Sequence, residues 1–167
     1  FQAYNLYVQQ GQLEQALAIT KAGLERFPWE MSLVERGIIL HYELARRNPT
    51  AADSHRDRIL ILYQDVLSKQ THLQTLPDAQ DQGNAFDISK DMALIVGEIY
   101  FNNGDYERSE SVIKDLLNKE LVEPVDQALA KYYLAAQLVQ GHLDESLYER
   151  VETNFPNVID EINTLLE

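Results

Sequence analysis

The sequence predicts an all-α protein of about nine helices, and three observations carry that reading. Apolar residues recur at spacings of three and four along nearly the whole chain, the period of an amphipathic helix. Alternating β-branched runs joined by tight glycine turns, which would mark strands, are missing. Gly and Pro number only seven and five in 167 residues, and most sit where one periodic stretch gives way to the next.

The first helix is predicted over residues 2–9, with Tyr4, Tyr7 and Val8 on one side, and Gly11 interrupts it. A second runs from Leu13 to Arg26, carrying Leu13, Ala16, Leu17, Thr20 and Leu24, and Phe27-Pro28 stops it. Pro28 suits the first turn of the next helix, which carries Met31, Val34, Ile38, Tyr42 and Ala45 and fades at Arg46-Arg47. Asn48-Pro49 repeats that arrangement, a capping Asn before a Pro at the first helical position. It opens a long helix over 49–69 with Ile59, Leu62, Tyr63, Val66 and Leu67 as its stripe. Residues 70–87 hold Pro77 and Gly83 and show no period, so they are read as an irregular loop. Asp87 is placed to cap a helix over 88–102, which Gly104 ends. Further helices are predicted at 105–118, from Glu123-Pro124 to Gln140 before Gly141, at 143–153, and at 157–166 beyond Pro156.

Composition narrows the chemistry. With no cysteine, disulfides, thiolate catalysis and cysteine-based zinc sites are excluded. The four histidines, His41, His55, His72 and His142, show no metal-ligand spacing; His41 is expected beside the core and the others at the surface. His55-Arg56-Asp57 spells part of a kinase catalytic loop, but Leu62 stands where the asparagine belongs. No GxSxG and no glycine-rich phosphate loop occurs, and "PDAQDQGNAFD" fails the calcium-loop spacing. Neither an enzyme, a cofactor nor a metal is expected. No apolar run reaches the ~18 residues of a membrane span. No signal segment is recognisable, and the first residue is Phe1 and not Met, as in a trimmed chain. Location is therefore left open, with the cytoplasm favoured.

Charge is uneven. Residues 1–69 hold 8 Lys/Arg against 8 Asp/Glu; residues 70–167 hold 6 against 19, so the whole net charge of −13 falls there. Such a surface repels phosphate, and no direct nucleic-acid binding is expected. Arg46, Arg47, Arg56 and Arg58 flank the Asn48-Pro49 turn, as decoration of a hairpin end or as a small basic patch.

Three glycines share a context: "YVQQGQLEQAL" at 7–17, "YFNNGDYERSE" at 100–110 and "QLVQGHLDESL" at 137–147. Each stands between helices. Two residues on comes an apolar or aromatic side chain (Leu13, Tyr106, Leu143), and five on a small one (Ala16, Ser109, Ser146). The glycine permits a backbone angle that a side chain strains, the apolar residue wedges the corner, and the small residue lets the helices close. With Gly97 and Tyr100 in the helix before Gly104, and with Pro28 ending the first copy, this pattern resembles the tetratricopeptide repeat, a unit of about 34 residues. Copies fall at 1–28, 29–69, 88–121 and 124–155 of one domain, with 156–167 as a capping helix. The second departs from the pattern: Gly37 comes one residue early, and Arg47-Asn48-Pro49 replaces the glycine turn. In the fourth, Leu134 stands where a small residue is wanted.

The resemblance implies an α-α superhelix of stacked antiparallel pairs whose first helices line a concave, acidic and apolar face. It places Asn5 and Val8 there from the first copy. The third copy contributes Asp91, Leu94, Glu98, Phe101 and Asn102, and the fourth Ala128, Lys131, Ala135 and Leu138. The implied partner is a protein or peptide segment, basic or amphipathic. Asp91 and Glu98 would repel a C-terminal carboxylate, so a carboxylate clamp is not expected. Two alternatives stand beside this scaffold: the peptide-sensing repeat portion of a larger bacterial regulator, and a homo-oligomer stacked through Phe1, Tyr4 and Tyr7.

Overall fold

The structure, a computed structural model, describes residues 2–75, 87–117 and 120–167. Among these are nine α-helices and no strand. The chain falls into two compact units, Phe1–Asp87 and Ile88–Glu167.

The first unit holds α1 (Gln2–Gln9), α2 (Leu13–Arg26), α3 (Met31–Arg47) and α4 (Ala52–Gln74), each packed on the next. Leu13 and Ala16 of α2 bury against Leu40 and Leu44 of α3, and Tyr4, Tyr7 and Leu17 cover them. Between α3 and α4, Val34, Ile38, Ile59 and Val66 are fully buried. Each such side chain contributes about 1.5–3 kcal/mol of hydrophobic transfer before entropy is counted. Tyr4 and Tyr7 are thus half-buried against their own unit, the large apolar residues α1 exposes are Leu6 and Val8, and Phe1 lies outside the described residues.

Helix ends correct several expectations. Pro28 does not open α3: residues 27–30 make a turn, closed by the Glu30 amide on the Phe27 carbonyl at 3.1 Å, and the helix starts at Met31. The Asn48 side chain caps no amide but accepts from the Thr50 hydroxyl at 2.6 Å, and Pro49–Ala51 forms a 3-10 turn before α4. Helix α4 runs on to Gln74, beyond residue 69. The Thr71 and Thr75 hydroxyls bond back to helical carbonyls, and the ring of His72 lies 6.0 Å from that of Trp29. The Lys69 ammonium, just before this extension, donates to the Pro28 carbonyl. Residues 76–86, the rest of the expected loop, lie outside the described residues.

The second unit holds α5 (Lys90–Asn102), α6 (Tyr106–Lys114), α7 (Pro124–Gln140), α8 (Glu145–Asn154) and α9 (Pro156–Leu166). Ser89, not Asp87, caps α5, its hydroxyl accepting from the Met92 amide at 3.2 Å. Asp105 caps α6 through the Arg108 amide, and that helix stops at Lys114, short of residue 118. Helix α6 packs on α5 and α7, α5 on α7, and α9 on α7 and α8. The shared core is built from Ala93, Ile113, Leu129, Leu134, Val151 and Ile162, all without solvent exposure.

The glycine turns read from the sequence are present. Gly104 has φ +78°, and Gly11 and Gly141 have φ +71° and +79°, a region that costs other residues roughly 1–2 kcal/mol. At Gly97 the requirement is space. A Cβ there would meet Cδ1 of Ile113 at 2.8 Å, while the Ser109 hydroxyl donates to the Gly97 carbonyl at 2.8 Å. The small pair Gly97 and Ser109 therefore sets how closely α5 and α6 approach.

Candidate functional site

Helix α5 is enclosed by its neighbours except along one row. Met92, Ala93, Ile95, Val96, Gly97, Ile99, Tyr100 and Phe101 are buried. What remains open is Asp91, Leu94, Glu98 and Asn102, spaced by three and four and so on one face. Asp91 and Asn102 are exposed, and Leu94 and Glu98 are half-buried.

Helix α7 runs parallel to α5. Lys90, first in α5, donates to Asp126 near the start of α7 at 2.5 Å, and Phe101 near the end of α5 packs edge-on to Tyr132 further along α7, centroids 5.6 Å apart. The first contact pins the two N-termini. Asp126 is 2% exposed, and its other oxygen accepts the Glu123 amide at 3.1 Å. Burial pushes its carboxyl up, but the bonds from Lys90 and from backbone amides outweigh that and hold it below the usual aspartate value. On α7 the open row is Ala128 and Lys131, half-buried, then Leu138, exposed.

Two expected face residues are corrected. Phe101 is buried, held between the rings of Tyr106 (5.1 Å) and Tyr132. Ala135 is completely buried in the core of α7. Both fall on the predicted row, but α7 and the corner residue Tyr106 cover the first, and a lone methyl group does not reach out from under its neighbours at the second. Lys131 is engaged within the unit, 3.0 Å from Glu161 of α9 and 5.0 Å above the Tyr132 ring. In the first unit, Asn5 and Val8 are exposed on α1.

A polar hub ties α6 to the end of α7. Glu110 accepts from Gln137 at 3.0 Å and Gln140 at 3.1 Å, and pairs with His142 at 2.8 Å. Burial raises the Glu110 carboxyl, but these partners outweigh it and hold it below the ordinary glutamate value. The Gln137 side-chain carbonyl accepts the Asp144 amide at 2.8 Å, which seats the start of α8. These bonds tie α6, the end of α7 and the start of α8 together.

Sequence spacing missed a second cluster, in the first unit. His41 and His55 lie Nδ1 to Nδ1 at 2.8 Å, and both are half-buried. Each stands seven residues from Asn48, so closing the α3–α4 hairpin brings them together. Burial, with His55 and Arg58 nearby, lowers the His41 pKa to about 4, so it is neutral at pH 7. Beside it lies a cavity of about 310 Å³ lined by Leu17, Thr20, Lys21 and Leu24 of α2, Gly37 and His41 of α3, and Arg58, Ile61 and Leu62 of α4. The other hairpin arginines are occupied: Arg46 with Glu43, Arg56 with Asp53, and Arg47 with the Gly11 carbonyl. Among the described residues no group of three or more His, Asp or Glu could hold a metal ion.

Set against protein-family models, curated proteins and solved structures, the chain matches none.

Proposed function

We propose that this chain is a non-catalytic protein-interaction module of the tetratricopeptide type, whose second unit holds a basic or amphipathic segment of a partner protein. The observation that carries this is the open row of α5. The helix buries every other face, yet leaves Asp91 and Glu98 two turns apart with Leu94 between them. Carboxylates at that spacing, on a rigid helix flanked by Ala128 and Leu138 of α7, suit lysine or arginine side chains around an apolar anchor. The acidity of residues 70–167 steers the same class of partner and disfavours nucleic acid. No described helix is long and apolar enough to cross a membrane.

Peptides selected from a random library on the purified chain should carry Lys or Arg beside an apolar residue. Asp91→Lys with Glu98→Lys should weaken them about tenfold or more. Peptides that bind parent and variant equally would sink the reading.

A further inference from the structure

We infer that the cavity between α2, α3 and α4 of the first unit is a binding site for a small carboxylic acid with an apolar body. The carboxylate would sit between Lys21 and Arg58, and the body against Leu17, Leu24, Ile61 and Leu62.

Four observations converge on this ligand. The volume, about 310 Å³, lies in the range of small-molecule pockets. The walls are largely apolar, and Ile61 stands 56% exposed at the rim in the middle of α4, where no chain turn accounts for it. Two exposed cations from different helices, Lys21 and Arg58, line the cavity, and none of the lining residues is Asp or Glu. Among the described residues, neither Lys21 nor Arg58 has a carboxylate partner, unlike Arg46, Arg56 and Lys69 on the same unit.

The groups around the mouth also select the head group. Lys21 comes from α2, His41 from α3 and Arg58 from α4, with His55 of α4 against His41. Lys21 and Arg58 are the cations of this set, since His41 is neutral at pH 7, and an anion bound near both is attracted by each. The walls are flanks of helices, whose backbone amides are already paired within the helix, so the site lacks the cradle of free N–H groups that phosphate sites use. A single planar carboxylate, matched by the Arg58 fork and the Lys21 point charge, is the anion that fits. The site lies wholly in the first unit and does not depend on the α5 row.

Isothermal titration calorimetry with octanoate, octanol and octylammonium tests the inference. Octanoate should bind about tenfold or more tightly than either analogue. Lys21→Met with Arg58→Met should bring octanoate down to the level of octanol. Both positions are exposed, and methionine is as good a helix former as the residues it replaces, so the variant keeps its fold. Amide signals of Gly37 and Ile61 should shift on octanoate addition in the parent only. No octanoate binding, equal binding of all three compounds, or full binding by the double variant would each overturn the site.

Discussion

Ile19 and Ile61 in the first unit stand in the middle of their helices with 36% and 56% of their surface in solvent, and Phe27 and Trp29 lie open beside the α2–α3 turn. In the second unit the exposed large apolar residues lie at helix ends or connections: Val122 before α7, Leu138 and Val139 at its close, Leu166 at the close of α9. Polar groups differ in the opposite sense. The second unit draws Asp126, Gln137 and Ser109 inward and gives each a partner on another element, whereas the buried Thr20 of the first unit bonds only back to Ala16 in its own helix. A helix end is exposed because the chain must turn there. Mid-helix exposure has no such cause, and one of the two residues, Ile61, lines the cavity that also takes Lys21 and Arg58. The contrast separates a unit whose helices are locked by specific ties from one that leaves apolar surface for something else to cover.

The strongest way to break that contrast is to compare one side chain from each class. Ile113→Ala empties a fully buried position under Gly97 and should cost about 2–5 kcal/mol in chemical denaturation. Phe27→Ala, at a position 54% exposed, should cost less than about 1 kcal/mol. Similar losses would show that the first unit's exposed residues are structural after all. A smaller effect tests the polar ties. Asp126→Ala strands the Lys90 ammonium and the Glu123 amide and should cost about 1–3 kcal/mol. No change in midpoint would show the tie to be idle.

The smallest effect is a difference in acid response. The folded His41 pKa, about 4, lies below its ordinary 6.5, so the unfolded chain takes up the proton first as pH falls. Its contribution is fully present above pH 6.5 and is lost as pH drops towards 4. The loss is on the order of 1–2 kcal/mol, allowing for partial solvent access. In the second unit Glu110 and Asp126 are held below their ordinary values, so their contribution is kept until pH falls below the usual carboxylate range. Trp29 is the sole tryptophan and lies in the first unit. Its emission in urea titrations between pH 7 and 4 should show the first unit weakening before the amide signals of α5–α7 do. His41→Gln should remove that early loss, and an unchanged pH response in this variant would assign it to other groups.

Much of the helical layout was legible because punctuation marked it. Helix α2 ends at Phe27-Pro28, and α7 is bracketed by Pro124 and Gly141, so 13–26 and 124–140 read off directly. Where threonine hydroxyls and a ring contact carry a helix onward, as at α4, no breaker residue reports the end. Repeat register marked Gly97 and Ser109 as small positions of successive helices, and the structure brings the two together. It was not enough for Phe101, whose exposure depends on Tyr132, thirty-one residues away on a parallel helix. The histidine pair carried a usable signal. Folding the sequence about Asn48 puts 41 opposite 55, whereas searching for ligand spacings along the chain does not.

That hairpin has a consequence for how the molecule comes together. The ties described above join residues near in sequence: fourteen apart for His41 and His55, twelve for Gly97 and Ser109, and forty-one for Lys69 and Pro28. Contacts this local need little loop-closure entropy before they repay it, the property by which helical domains fold faster than sheets of non-local pairing. The same locality sets its mechanics. Within the second unit α9 packs on α7 and α8, so tension that parts α8 and α9 from α7 leaves the α5–α6 pair closed.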